Sequence, residues 1–258
     1  MLRWCAMSAR LKPRYLHQSA PDCNHCLVRD HAPCRGVPES LLNRLQRLRN
    51  KPSFLQPKTH LYRQGDPHGQ FYLLHSGWVM LYKTLRTGKR HILRYALPGD
   101  FISLQSNLGA PMNHSAQSLT LSTLCSFPRR SVIEIMEHIP QFTTQLALLS
   151  ARYYEHQTAI SHRSAQESIA FLFLDFYERL KIYNPTHSDT LFLPITQEDI
   201  ADTLGLTQVH VNRTLRFLAK QGILEFQHHL LKIVHHDALY ELAGYEPNKT
   251  PNYLLSTF

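Results

Sequence analysis

The stretch TQEDIADTLGLTQVHVNRTLRFLAKQGILEF, Thr196 to Phe226, decides how the rest of the chain is read. It predicts two short helices joined by a tight turn. Thr196 is a good N-cap, and Asp199 three residues on supplies the acidic arm of a capping box. Ile200 and Leu204 lie one turn apart and can face a core. Gly205 ends this helix, because a sharp turn needs backbone that a side chain would strain. Thr207 caps the second helix, whose apolar positions Val211, Leu215 and Leu218 recur at helical spacing. Its remaining face carries Gln208, His210, Asn212, Arg213, Arg216 and Lys220.

That face has the composition of a major-groove reader. Arg grips guanine through two hydrogen bonds, and Gln or Asn does the same for adenine. Residues near the helix N-terminus, Thr207 to Arg213, reach base edges, while Arg216 and Lys220 further along meet phosphates. A polar helix face by itself is more often only solvated. Here it coincides with a Gly turn and with a net charge of +9, so double-stranded DNA is the expected partner.

The run LTQ..VHVNRTLRFL resembles the winged helix-turn-helix of the CRP/FNR superfamily of bacterial transcription regulators. Gly222 to Val234 is then the wing, with strands GILEF and LLKIV around Gln227, His228 and His229. The resemblance extends from about Cys23 to about Gly244. It implies an α+β chain with an N-terminal antiparallel β-roll, a long dimerisation helix and the DNA-binding domain.

Length and composition agree with a regulator. The 258 residues suffice for more than one core, and 43% hydrophobic residues mark a globular chain. No apolar run approaches the roughly 20 residues of a membrane span. The basic N-terminus, MLRWCAMSARLKPRY, lacks the apolar stretch of a signal peptide, so a cytoplasmic protein is expected. Five cysteines in a reducing compartment point to metal or redox chemistry rather than disulfides. No glycine-rich nucleotide fingerprint, nucleophile elbow or HExxH motif is present, so no enzyme is expected.

In chain order, residues 1–36 form a cysteine-bearing segment, 37–138 the β-roll, 139–163 the dimerisation helix, 164–245 the DNA-binding domain and 246–258 a tail. Cys23, Cys26 and Cys34 follow the spacing C-x2-C-x7-C in a loop rich in Pro and Gly. Three such thiols can converge on an iron–sulfur cluster or on zinc, and His25 and His31 stand in the same loop. A cluster of four irons wants a fourth cysteine, and Cys125 is the candidate. The resemblance implies the same set, because FNR-type oxygen sensors carry three N-terminal cysteines and one distant one. This chain departs from the best-known member in having seven residues, not five, before its third cysteine. The expected cofactor is therefore a 4Fe-4S cluster held by Cys23, Cys26, Cys34 and Cys125, with Cys5 a spare. Cys125 alternates with Leu119, Leu121, Thr123 and Phe127, which also suits a small residue on the inward face of a strand.

Pro38 to Arg49 reads as a helix with Leu41, Leu42, Leu45 and Leu48 on one side. LYRQGD, QFYLLHSGWVMLYKTL, HILRYALPGDFISL and QSLTLSTLCSF are β-rich runs divided by turn residues. They resemble the roll that binds cyclic nucleotide in CRP-type members. Those members carry a glutamate for the ribose and an Arg-Ser pair for the phosphate, where this chain has Leu104 and His114-Ser115. Without the arginine a phosphate loses its main charge-assisted bond, so no cyclic nucleotide is expected.

Phe142, Leu146, Leu149, Tyr153, His156 and Ile160 follow a 4-3-4-3-4 spacing from a helix opened by Pro140. This is either a homodimer seam, as the resemblance implies, or a stripe packed on the chain's own roll. Ser164 and Glu167 read as a second capping box, before a helix running to about Tyr183 with Ile169, Phe173, Phe176 and Leu180 on one stripe. YNPTHSDT reads as a linker, and His235 to Ala243 as a last helix. The resemblance also implies RNA polymerase as a partner. Control by thiol oxidation, by another ligand or by expression level is the alternative to a cluster, and a zinc-binding interaction module stands behind both.

Overall fold

The structure, a computed structural model, describes residues 22–67, 69–105, 109–161, 163–181 and 189–245. Cys5, most of YNPTHSDT and the 246–258 tail lie outside the described residues. The described chain falls into two compact units, one ending at Tyr153 and the other beginning at Tyr154.

The N-terminal unit is a β-roll. Its strands are β1 (Ser53–Leu55), β2 (His60–Tyr62), β3 (Gln70–Ser76), β4 (Val79–Thr84), β5 (Arg90–Ala96), β6 (Phe101–Ile102), β7 (Ser115–Ser118) and β8 (Ser122–Pro128). They pair antiparallel in two sheets, ordered β1-β8-β3-β6 and β2-β7-β4-β5. Two runs read as single segments each form two strands in different sheets. Ser76-Gly77-Trp78 turns QFYLLHSGWVMLYKTL from β3 into β4, and Leu119–Leu121 separates β7 from β8. Both crossings let one continuous apolar run line both sheets.

The sheet β1-β8-β3-β6 is buried on both faces. Leu74, Ile102 and Leu124 point between the sheets, with Tyr62, Val79, Leu81 and Ala116. Phe71, Leu73, Phe101, Cys125 and Phe127 point the other way. Three helices cover that second face: α1 (Glu39–Leu48), α2 (Arg129–His138) and the first turns of α3 (Pro140–Ser161). Leu42 and Leu45 of α1, Val132 and Ile135 of α2, and Phe142 and Leu146 of α3 are the buried contributors. Burying side chains of this kind contributes about 1.5–3 kcal/mol each, ample to fix the helices on the sheet. The helix α2 was not read from the sequence. Cys125 does occupy a buried strand face, but it looks out towards the helices rather than into the roll.

The C-terminal unit begins inside α3. Next comes α4 (Ala165–Lys181), opened by the Ser164–Glu167 capping box: Ser164 N–H donates to Glu167 Oε2 at 2.7 Å and Glu167 N–H to Ser164 Oγ at 3.3 Å. Its middle, Ser168 to Leu174, is buried all round, a wider burial than one stripe. The reading pair is α5 (Gln197–Leu204) and α6 (Gln208–Lys220), followed by β10 (Leu224–Gln227), β11 (Leu230–Ile233) and α7 (His236–Ala243). The wing gains a third strand, β9 (Thr190–Phe192), which pairs with β11 through Leu191 and Leu231. His228 and His229 turn the wing at positive φ, 50° and 65°.

Candidate functional site

The cysteine loop is held by local bonds and by two distant anchors. Asp22 caps its first turn, accepting from Asn24 N–H at 2.9 Å and His25 N–H at 3.0 Å. His25 closes back on the same carboxylate through Nδ1 at 2.9 Å, and its side chain is exposed. Cys23 N–H donates to Gln46 Oε1 of α1 at 2.8 Å. Arg29 Nη2 donates to Val37 O at 2.9 Å. Val28, Ala32 and Val37 are buried, so the loop rests on the helix-side core rather than in solvent. The second anchor is Gly99 in the β5–β6 turn. A Cβ there would stand 2.5 Å from His31 O, so the loop backbone lies directly on the turn.

Beneath the loop, Cys125 is paired across the sheet with Leu73 of β3 and is 4% exposed. Arg49, the residue that caps α1, donates from Nη1 to Cys125 Sγ at 3.5 Å. Cys23 and Cys34 are partly buried against the same core. The four thiols lie within electrostatic reach of one another. Burial above all holds the Cys34 thiol far above its usual range, with Cys23, Cys26 and Cys125 adding to the rise. Burial likewise raises Cys26, which feels Cys125, and Cys125, which feels Cys23. It also raises Cys23. Arg49 opposes the rise at Cys23, Cys26 and Cys125, and Arg29 at Cys23 and Cys34.

Among the described residues no three His, Cys, Asp or Glu side chains are already arranged to hold a metal ion. The two observations are compatible. Neutral thiols gain nothing by converging further, and it is a cation that draws thiolates together and releases their protons. The donor set, four thiols in one partly desolvated place with two guanidiniums beside them, suits a thiolate-ligated centre. His25, turned to Asp22 in solvent, is not part of that set.

In the roll, the residues at the nucleotide positions are bonded to their own chain. His114 Nε2 shares a 2.7 Å hydrogen bond with Tyr62 Oη, and His114 Nδ1 one of 2.7 Å with Asn113 Oδ1. Ser115 Oγ accepts from Gln64 N–H at 2.9 Å. Leu104 packs on the helix-side core.

The reading helices form as their caps dictate. Thr196 Oγ1 accepts from Asp199 N–H at 3.1 Å while Asp199 Oδ2 accepts from Thr196 N–H at 2.8 Å. Gly205 sits in the left-handed region at φ 67°, and Thr207 Oγ1 accepts from His210 N–H at 3.2 Å. Val211, Leu215 and Leu218 are buried with Ile200. Gln208, Arg213, Arg216 and Lys220 are exposed, along with Thr207, and His210 is half-buried. Asn212 is also half-buried, and its Nδ2 donates to Gln197 Oε1 of α5 at 3.0 Å, bracing the two helices. Val209 is 80% exposed in the first turn of α6.

On α3 the heptad divides. Phe142 and Leu146 are buried in the chain's own helix-side core, where the Phe142 ring meets Phe101 edge-on at 6.1 Å, and Leu149 packs at its margin. The Arg94 guanidinium lies 4.0 Å over the Tyr153 ring. The side chains of His156 and Ile160 lie outside the described residues. The first half of the stripe therefore packs intramolecularly, and Thr144, Ala147, Ser150, Ala151 and Tyr154 are exposed instead.

Several residues of these sites carry no sequence signal beyond a position in a helix or turn. Gln46, Arg49 and Gly99 are the cases in point. Only the basic residue directly after the last apolar position of α1 hinted at Arg49.

Known proteins bear on most of the chain. Residues 52–138 match the cyclic nucleotide-binding domain family, and residues 168–242 match the Crp-like helix-turn-helix domain family. The nitrogen fixation regulation protein FixK of Bradyrhizobium diazoefficiens is 32% identical over 80% of this chain and 87% of its own. The fumarate and nitrate reduction regulatory protein of Escherichia coli is 25% identical over 88% of this chain and 92% of its own. The structure of FixK2 from Bradyrhizobium japonicum superimposes with a TM-score of 0.65 at 25% identity, covering 74% of this chain and 96% of that one. With both domains matched in order and similarity running through most of its length, the chain belongs to the CRP/FNR family of DNA-binding transcription regulators.

Proposed function

We propose that this regulator is controlled by an iron–sulfur cluster, of the 4Fe-4S type, held by Cys23, Cys26, Cys34 and Cys125. The packing of Cys23 and Cys34 against the core that holds Cys125, with Cys26 in the same short loop, is the observation that carries the reading. Bound there, the cluster would supply a centre that oxygen or nitric oxide destroys or alters. The chain's own residues do the rest. Gln46 and Gly99 hold the loop over the sheet, and β8 holds Cys125 still beneath it. The first turns of α3 pack on the same core, so a change in the loop bears on that helix through shared contacts. Control requires only that the cluster favour the DNA-competent state over the other.

The regulator acts in the cytoplasm as a homodimer on a twofold-symmetric site, and engages RNA polymerase there. Thr207, Gln208, His210, Asn212, Arg213, Arg216 and Lys220 line the DNA side of each subunit. It takes no cyclic nucleotide, because the residues at the phosphate position are bonded to Tyr62, Asn113 and Gln64. It is not an enzyme.

A second reading, a cluster-free regulator, draws on the lack of a preformed metal group among the described residues. Thiol oxidation is the weaker form of it, since buried thiols with raised pKa are poor nucleophiles. Anaerobic purification followed by iron and sulfide analysis and a visible spectrum separates the readings. Iron and sulfide in equal amounts, abolished by Cys125→Ala and kept by Cys5→Ala, are expected. Zinc without sulfide, or full iron and sulfide in the Cys125→Ala protein, would overturn the four-cysteine assignment.

A further inference from the structure

Arg49 stands at the end of α1, which touches both halves of the cysteine site. Its backbone N–H caps α1 on the carbonyls of Leu45 and Gln46, which fixes where its side chain begins. The next residue, Asn50, donates its N–H to Ser126 O of β8 at 2.9 Å, so the chain is tied beside Cys125. From there Arg49 Nη1 reaches Cys125 Sγ at 3.5 Å. One turn earlier on α1, Gln46 takes the N–H of Cys23. The end of α1 thus meets the first loop cysteine and the strand cysteine together.

His75 stands at the bulge where β3 slips between Leu74 and Ser76, close enough to feel the charge of Arg49. It is 3% exposed, and neither ring nitrogen has a hydrogen-bond partner. Burial first, and the nearby Arg49 second, lower its pKa below the usual histidine range. His75 is therefore a poorer source of positive charge for the thiols than a guanidinium. Arg29 brings one, but its Nη2 is committed to Val37 O within the loop.

We propose that Arg49 is the positioning residue of the cysteine site. Its guanidinium aims Cys125 Sγ at the loop cysteines and sets positive charge against the thiolates of the loaded centre. The proposal rests on the cluster reading above. Four thiolates around an iron–sulfur core leave net negative charge in a partly desolvated place, and uncompensated buried charge is costly. Hydrogen bonds to ligand sulfurs and nearby charge are also what set a cluster's potential. A cation stabilises the reduced, more negative state, so losing it lowers the potential.

The test uses the full chain loaded anaerobically, as wild type, Arg49→Gln and Arg49→Lys. Gln keeps a neutral donor, and Lys keeps the charge without the fork. Iron and sulfide per chain, the rate of cluster loss to a chelator, the midpoint potential and the melting temperature of the metal-free protein are measured. Arg49→Gln should lose its cluster roughly 10-fold faster than wild type. Its potential should be more negative, while metal-free melting stays close to wild type. Arg49→Lys should return the potential towards wild type. An unchanged potential and loss rate in Arg49→Gln overturns the proposal. A lowered melting temperature with an unchanged potential does so too, since it leaves Arg49 a brace between α1 and β8. A wild type lacking iron and sulfide overturns the cluster reading itself, and is distinguishable because it appears before any substitution.

Discussion

Gly99→Ala separates what the β5–β6 turn costs in backbone strain from what it does for the cysteine loop. Gly99 has φ +89°, and its N–H donates to Leu74 O at 2.7 Å, so the turn cannot relax freely. An added Cβ would lie 2.5 Å from His31 O and 3.0 Å from His31 C, far inside the 3.4 Å at which ordinary contact begins. Both obstacles are backbone, so the loop must move. Gly88, in the β4–β5 hairpin, is the control: it has φ +80° but nothing within 4 Å of its would-be Cβ. Alanine at either place costs roughly 1–2 kcal/mol of left-handed strain. Only position 99 adds overpacking, about 1–3 kcal/mol more. Urea unfolding of the metal-free protein should therefore show Gly99→Ala less stable than Gly88→Ala by about 1–3 kcal/mol. The displaced loop should also bare its thiols, so Gly99→Ala should react faster with a thiol reagent and Gly88→Ala at the wild-type rate. Equal stability losses and equal thiol rates would refute the seating of the loop on this turn.

Arg213→Ala should cost about 1–3 kcal/mol on the best site and relax preference at one base pair per half-site, as for a bidentate base contact. Lys220→Ala should weaken all sequences alike and reduce the salt dependence, which a titration over a half-site library at two salt concentrations resolves. Val209, 80% exposed in the first turn of α6, carries no hydrogen-bonding side-chain atom, so Val209→Glu should add a preference for cytosine at one position of the half-site, read in the same titration. Ala151→Glu, on the exposed face of α3, should yield monomers in sedimentation with little change in melting; a persistent dimer would place the partner elsewhere. The buried thiols set a pH limit on the metal-free protein. Their pKa values are raised above the ordinary 9.0, so the folded state binds more protons than the unfolded one above that pH. The stability is whole below 9.0 and falls as pH rises past it, so urea midpoints should drop as the pH is taken above about 9, and a level profile would contradict the burial.

What could be read from the residues alone was what is closed locally. Thr196 with Asp199, Ser164 with Glu167, Thr207 and Gly205 each complete a hydrogen bond or a backbone turn within a few residues. Their geometry follows from side-chain type and spacing, whatever surrounds them. The cysteine spacing was legible for the same reason: three thiols on one short loop cannot be far apart. Strand β8 is the opposite case. It is buried on both faces and carries hydroxyls on each, Ser122 and Ser126 on one and Thr123 on the other, so alternation found a buried face for Cys125 and read it as the inward one. Only the pairing of β8 with β3, and the helices laid over it, turned Cys125 towards the loop. The heptad of α3 was ambiguous in the same way, because an apolar stripe suits a partner helix and the chain's own sheet equally. Packing resolved its first half, burying Phe142 and Leu146 against Phe101 and its neighbours. Arg49 and Cys125 are 76 residues apart, and nothing in local propensity relates them. Their meeting is decided by where α1 ends on the sheet, a long-range contact that exists only once the whole roll has closed.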